Sequence, residues 1–289
     1  MISNIKRNKI DLYKLKNIQD LIYVEKLFDL FLKKILNNRK KKLKYFFKNK
    51  KCACGSNKIL NKFKIGLFTY NKCKCGTYFI DPMIKSNMLD LIYSEKGPYS
   101  KYRKKFLENK AKKKIRNEII NRKVNQLLSL SLNKSSHILD FGCGDGSFLK
   151  ACKKKGFKNL IGIDNRFVKS TQNGGILRTN TLNKIENSRQ FNCITLWGVL
   201  EHLNDPLKFC KYLLKFLKKG GYILLEVPNA DSILMKYLST NPSKQNRYIE
   251  PGRHLFFFSK NFFNILSKKF RLKLIDYETN GLDFQTLLG

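Results

Sequence analysis

The chain has 289 residues, 42% of them apolar and 12% aromatic, which suits one large domain plus a small module and excludes wholesale disorder. Its mean hydropathy of −0.40, with no apolar run near the roughly 20 residues of a spanning helix, excludes a polytopic membrane protein. The net charge of +38 points toward anions, but only 11 of the 59 basic residues are Arg and only four residues are Ala. The codon bias of an AT-rich genome explains the lysines about as well as function does, and phosphate recognition favours guanidinium, so nucleic acid is not the expected partner.

The opening residues lack the apolar stretch of a secretory signal, which makes the cytoplasm the expected compartment and the cysteines thiols or metal ligands. Residues 1–50 form a basic extension in which Leu21, Val24, Phe28, Phe31 and Ile35 recur at three- and four-residue steps. That spacing predicts an amphipathic helix docked on the body of the protein. The run Arg39-Lys40-Lys41-Lys42 and Lys44 offers a second use, peripheral contact with an anionic membrane surface.

Residues 51–82 carry Cys52-Ala53-Cys54-Gly55 and Cys73-Lys74-Cys75-Gly76 around a strand-like run, Phe63–Tyr70. Two thiolate pairs at hairpin distance predict Cys52, Cys54, Cys73 and Cys75 as ligands of one structural zinc in a zinc-ribbon-like module. One residue rather than two separates each pair, a tighter bite than zinc ribbons usually have, and ordinary buried thiols are the alternative. Residues 83–130 read as a helical connector with a turn at Gly97-Pro98. Tyr93, Tyr99 and Tyr102 cluster there, as packing aromatics or as the lining of a substrate cleft.

Residues 131–289 alternate strand and helix patterns, which predicts an α/β domain with a mostly parallel sheet covered on both faces. Strands are expected at His137–Phe141, Asn159–Asp164, Ile176–Thr179, Phe191–Trp197 and Tyr222–Val227. Helices are expected over Ser147–Lys155 and from Pro206 to a stop at Lys218-Lys219-Gly220-Gly221.

Between the first strand and its helix lies Asp140-Phe141-Gly142-Cys143-Gly144-Asp145-Gly146-Ser147. A glycine-rich turn there lets a ligand approach the backbone and the helix N-terminus. A dinucleotide fingerprint wants its third glycine at 147, where this chain has Ser, and has no need of Asp140. A carboxylate at that point suits an ammonium, so the spacing favours an amino-acid-bearing cofactor. Asp164 ends the next strand, where it can accept from ribose hydroxyls.

In these residues the chain resembles the class I S-adenosylmethionine-dependent methyltransferases. Asp140, Gly142, Gly144 and Gly146 match that family's first motif, and Asp164 its ribose-binding acid. The segment Phe191–Pro206 is similar to the one after the fourth strand in small-molecule methyltransferases of the ubiquinone-precursor type. Glu226-Val227-Pro228-Asn229 and the segment Arg253–Ser259 resemble bacterial methyltransferases with a cysteine-paired module ahead of the catalytic domain. The resemblance covers about residues 51–280 and implies a Rossmann-like doubly wound fold with S-adenosylmethionine as cofactor. The implied acceptor is a small molecule, sugar-like or related, in surface-polysaccharide or natural-product biosynthesis. RNA or protein as acceptor, and a non-catalytic binding protein retaining the fold, are the alternatives. The fold normally ends in an antiparallel hairpin, for which Arg271–Glu278 is one strand and Asn280–Gly289 all that remains for the other.

The sulfonium makes the methyl group electrophilic, so the protein mainly aligns a nucleophile, and a histidine base is the one side chain such chemistry asks for. Of the three histidines, His137 opens the first strand and is structural, whereas His202 and His254 are the catalytic candidates. Asn180 is expected near the adenine, Trp197 near the methionine portion, and Cys143 as a small filler in the cofactor turn.

Overall fold

The computed structural model describes residues 18–94, 96–102, 112–165, 171–173, 175–180, 190–241 and 249–279. They fall into two compact units: residues 116–200 and 208–227 form one, and the segments before, between and after them form the other.

The chain enters the discontinuous unit through α1 (Ile18–Leu36), breaks at Asn37-Asn38, and continues as α2 (Arg39–Tyr45), whose start Asn38 caps by accepting from Lys41 N at 3.0 Å. In α1, Phe28, Leu32 and Ile35 are buried and Leu30 on the opposite side is exposed, as three- and four-residue spacing requires. The side chains of Leu21 and Val24 lie outside the described set. Short β1 (Phe46–Phe47) is followed by β2 (Ile59–Ile65), β3 (Phe68–Cys73), β4 (Tyr78–Asp81) and β5 (Met83–Ile84), which pairs back onto β1. The run Phe63–Tyr70, expected as one strand, is instead a hairpin turned at Gly66-Leu67, with Ile65 opposite Phe68. Alternation continues through so tight a reversal, which is why periodicity alone misses it. Helices α3 (Ser86–Tyr93), α4 (Pro98–Tyr102) and α5 (Lys113–Leu128) follow.

The continuous unit holds the large sheet. Strands β6 (His137–Phe141), β7 (Asn159–Ile163), β8 (Thr171–Asn173), β9 (Ile176–Thr179), β10 (Phe191–Trp197) and β11 (Leu217–Glu226) lie in the order β11-β10-β6-β7-β9-β8. All neighbours are parallel except β8, which runs antiparallel at the edge. Adjacent residues on each central strand face opposite sides. Ile138, Leu160 and Cys193 pack in one cluster with Phe148 and Leu149 of α6 (Ser147–Lys154), and Leu139, Ile161 and Ile194 pack in another with Leu213 of α7 (Pro206–Leu213). Period-two alternation with both faces apolar specifies a buried parallel sheet. The expected helix stop at Lys218–Gly221 belongs to the start of β11: Leu217 pairs with Phe191, the next four residues loop out, and pairing resumes at Tyr222 with Cys193.

After β11 the chain returns to the discontinuous unit through α8 (Ile233–Thr240), β12 (Phe256–Phe257) and α9 (Lys260–Phe270). Strand β12 pairs antiparallel with β4 and completes a sheet of order β12-β4-β3-β2. Its core is aromatic: Phe68, Tyr70, Tyr78, Phe79, Phe256, Phe257, Phe258 and Phe262 are buried. Arg271–Glu278, expected as a strand, forms none. Ile275 is 66% exposed, and among the described residues no strand pairs with this run. The partner expected at 280–289 lies outside the described residues. Among the described residues no helix is long and apolar enough to cross a membrane.

Ser259 ties this return to the cysteine segment. Its Oγ donates to the Cys75 carbonyl at 2.6 Å and accepts from Phe262 N at 3.1 Å, capping α9. Ser259→Ala leaves both groups without that partner in a buried setting and is expected to cost about 1–3 kcal/mol, measurable as a lowered urea midpoint with an unchanged slope.

Candidate functional site

At the carboxyl edge of the parallel sheet, β6 ends and the glycine turn folds over the neighbouring strand. The amides of Gly142 and Cys143 both donate to the Ile163 carbonyl, at 2.7 and 3.0 Å, and Gly146 N donates to the Cys143 carbonyl at 2.9 Å. Gly142, Gly144 and Gly146 have φ of +75°, +61° and +75°, values that β-carbon-bearing residues rarely adopt. A Cβ on Gly142 would also lie 2.5 Å from Val199 Cγ2. The turn delivers Gly144 N to Asp164 Oδ2 at 2.9 Å, and Asp164 N donates to the Thr179 carbonyl at 3.0 Å. Asp140, the three glycines and Asp164 therefore gather at one edge, where β6 and β10 diverge toward opposite halves of the sheet, the usual ligand position in open α/β folds.

Asp140 is buried, and Thr195 Oγ1 donates to its Oδ1 at 2.7 Å. Burial pushes its pKa up to about 7, against the opposing pull of the Thr195 bond and the Lys123 charge. Cys143 is buried in the turn, and burial pushes its thiol up, the condition of an inert filler rather than a nucleophile. Asn180 is exposed directly after β9. Trp197 ends β10 edge-on to Phe148 (5.4 Å between centroids), with Lys123 Nζ 4.9 Å from its ring and its indole N–H buried without an acceptor among the described residues.

Sequence reasoning missed several partners of this edge. Thr195 holds Asp140 from the adjacent strand. Arg122 Nη2 donates to Glu226 Oε2 at 2.6 Å, and Lys123 Nζ lies 3.4 Å from Glu226 Oε1. The scarcity of arginine was the one available signal for Arg122; nothing in the spacing links α5 to the end of β11.

In the discontinuous unit the two cysteine turns are alike. Gly55 N donates to the Cys52 carbonyl and Gly76 N to the Cys73 carbonyl, each at 2.8 Å, while Cys52 N and Cys73 N donate to the Ser56 and Thr77 carbonyls, each at 2.9 Å. All four sulfurs lie within 4.8 Å of one another, with Cys52 to Cys75 at 3.7 Å and Cys54 to Cys73 at 3.6 Å. Sulfurs at the corners of a zinc tetrahedron, each about 2.3 Å from the metal, stand about 3.8 Å apart, whereas a disulfide needs about 2.05 Å. The cluster thus fits zinc, and four thiolates leave no open position for catalysis. The Cys52 thiol holds Cys75 down to about 5 by donating to it, and that bond, then burial, pushes Cys52 up.

His202 and His254 also converge in this unit, their ring centroids 5.2 Å apart. His202 lies in the turn Leu200–His202 after β10, and its Nδ1 donates to the Arg253 carbonyl at 2.6 Å, with the Tyr93 hydroxyl 3.3 Å from the same nitrogen. Its Nε2 is 3.8 Å from Glu201 Oε1. His254 Nε2 is 3.5 Å and Arg253 Nη2 3.0 Å from Glu250 Oε2, and the Arg253 guanidinium caps the Phe28 ring of α1 at 4.4 Å. Burial lowers the His202 pKa below its ordinary value, so this imidazole is neutral at pH 7. Tyr93 stacks edge-on with Tyr99, 4.9 Å between centroids, and the Tyr102 side chain lies outside the described set. Glu201 and Arg253 stood out only as members of the family-like segments Phe191–Pro206 and Arg253–Ser259, and Glu250 carried no sequence signal. His137 opens β6, where its N–H donates to Asn192 Oδ1 at 2.9 Å, at the end of the strand opposite the glycine turn.

Part of the chain is similar to known proteins. The chain is 27% identical over 146 residues to a mitochondrial ubiquinone biosynthesis O-methyltransferase of Dictyostelium discoideum, covering 44% of each chain. It is 29% identical over 133 residues to a tRNA U34 carboxymethyltransferase of Sulfurimonas denitrificans, covering 41% of this chain and 44% of that one. The matches therefore span less than half the length of these relatives. Among solved structures, the magnesium protoporphyrin IX methyltransferase of Synechocystis PCC 6803 with bound SAH is similar at a TM-score of 0.46 and 11% identity, covering 64% of this chain and 88% of that one. Residues 111–276, more than half of the chain, match the family described as a methyltransferase domain. With a mostly parallel sheet beneath a glycine turn flanked by Asp140 and Asp164, the chain belongs to that family, in its class I S-adenosylmethionine-dependent form.

Proposed function

We propose that the protein transfers a methyl group from S-adenosylmethionine to a small, sugar-like acceptor. The observation that carries the reading is the meeting of Asp140, the glycine turn and Asp164 at one sheet edge, with Gly144 N donating to Asp164. In this reading Asp140 receives the cofactor's ammonium, Asp164 accepts from the ribose hydroxyls, and Gly142, Cys143, Gly144 and Gly146 let the backbone come close. Asn180 borders the adenine and Trp197 the methionine portion. When bound, S-adenosylmethionine supplies an electrophilic methyl carbon. The protein's own part is alignment, which holds an acceptor atom in line behind that carbon. His202 and His254 are the groups proposed to help an acceptor hydroxyl lose its proton, and His202 is neutral and therefore able to do so. The cysteine cluster is proposed to hold a structural zinc. Residues 51–82 are proposed as the cysteine module, 1–50 as a helical extension, 83–130 as a connector and 131–289 as the methyltransferase portion of the chain. The sugar-like acceptor is supported by the likeness of Arg253–Ser259 to methyltransferases with cysteine-paired modules.

One observation favours a second reading, an RNA acceptor: similarity to a tRNA-modifying enzyme. Methyl incorporation from labelled cofactor into nucleotide sugars or into bulk tRNA separates the two.

The cofactor reading has its own test in the pH dependence of S-adenosylhomocysteine binding. Asp140 gains its charge only near pH 7, and a cationic ammonium prefers the charged form. Affinity is expected to rise with pH by up to about tenfold per unit below 7 and to level off above it. Calorimetric titrations between pH 5.5 and 8.5 would read this, and Asp140→Asn should flatten the curve at low affinity. A wild-type curve without slope would remove Asp140 from the cofactor's ammonium.

A further inference from the structure

Glu201, His202 and His254 bring a carboxylate oxygen and two imidazole nitrogens within 4.8 Å of one another. We propose that these three side chains bind a divalent transition-metal ion at a site separate from the four cysteines. A base requires one imidazole; a second imidazole and a carboxylate converging on the same point form the donor set of a zinc-, iron(II)- or cobalt(II)-class site.

Three features support it. The first is orientation. The Nδ1–H of His202 is committed to the Arg253 carbonyl at 2.6 Å, which leaves the Nε2 lone pair on the side of Glu201, 3.8 Å from its Oε1. Metal-ligating histidines are held in this way by a backbone carbonyl or carboxylate on the far nitrogen. Glu250 stands in the same relation to the second imidazole, 3.5 Å from His254 Nε2, while also pairing with Arg253 at 3.0 Å. The second is rigidity. The two ligand-bearing segments are joined by the Leu255 amide, which donates to the Glu201 carbonyl at 2.8 Å, so convergence does not depend on long side chains finding one another. The third is seclusion: the Glu201, His202 and His254 side chains are only 4%, 20% and 14% exposed. Ligand atoms about 2.0–2.2 Å from an ion stand roughly 3–3.5 Å apart, within a small rotation of the observed spacing.

An ion here would bind an acceptor oxygen and lower its pKa, taking over the deprotonation proposed above for His202 and His254, whose free ring nitrogens it would occupy. That use rests on the function proposed above; binding of the ion does not.

The test uses the full chain stripped of metal with a chelator and titrated with cobalt(II) under reducing conditions. The expected result is two equivalents bound. One gives the intense near-ultraviolet band of thiolate-to-cobalt charge transfer, and the other gives only weak ligand-field bands. Glu201→Gln and His254→Ala should each abolish the second equivalent and keep the thiolate band, which doubles as the sign that the unit is folded. If His254→Ala loses both, the more conservative Glu201→Gln decides. A wild type that takes up only thiolate-bound cobalt, or variants that keep both equivalents, would overturn the proposal. Neither result touches S-adenosylhomocysteine binding, so failure of the metal site and failure of the methyltransferase reading are separable.

Discussion

Asp164→Ala is expected to weaken S-adenosylhomocysteine binding about 100- to 20,000-fold. The carboxylate is proposed to accept from two ribose hydroxyls, and hydrogen bonds to a charged group contribute about 1.5–3 kcal/mol each, so a loss of about 3–6 kcal/mol translates into that range. A second consequence lies in the free protein, where the same carboxylate accepts from Gly144 N. Its removal loosens the turn that the ligand must meet. Asp164→Asn, which keeps one acceptor oxygen, should fall between the wild type and Ala. Titration calorimetry on all three proteins reads the series, with far-ultraviolet circular dichroism to confirm that the sheet survives. If Asp164→Ala bound as tightly as the wild type, the ribose would have to be held elsewhere.

Removal of the cysteine cluster should have the larger structural effect. Structural zinc sites contribute on the order of 10–16 kcal/mol, comparable with or above the roughly 5–15 kcal/mol that keeps a whole domain folded. Cys73→Ser combined with Cys75→Ser is therefore expected to unfold the unit built on β2, β3, β4 and β12 at room temperature. Trp197 is the sole tryptophan and lies in the continuous unit, so its fluorescence reports that unit alone. The expected signature is loss of one calorimetric transition and of near-ultraviolet tyrosine dichroism while the Trp197 emission and its own melting transition persist. An intact second transition in the double variant would mean that the aromatic core suffices without metal.

Much of this was legible in the residues themselves. The strands β6, β7, β9 and β10 fall where alternation places them, because a strand buried on both faces shows itself as an apolar run closed by a turn. The glycine turn was legible because only glycine tolerates its backbone, and Asp140 and Asp164 because they terminate strands. Long-range pairing was not. Nothing near Phe256 says that its partner is Phe79, and a run such as Arg271–Glu278 carries strand propensity with no ladder to join among the described residues. The site at His202 shows the same limit: both histidines could be singled out, but their convergence with Tyr93, Glu201, Glu250 and Arg253 comes from folding together three distant segments. The Lys218–Gly221 loop reads as a helix stop in the sequence because glycine pairs mark both helix ends and strand bulges.

The pairing of β12 with β4 has a consequence for synthesis. Thr77 and Ser259, which meet across this junction, are 182 residues apart, so a ribosome must translate the whole continuous unit before the cysteine sheet can receive its last strand. Until then β4 presents an unpaired edge and the aromatic face beneath it is uncovered, the kind of surface that invites aggregation. The four thiols emerge early and lie close in sequence, so an ion that clips β2–β4 together would shelter a nascent chain during the interval in which the rest of its unit does not yet exist.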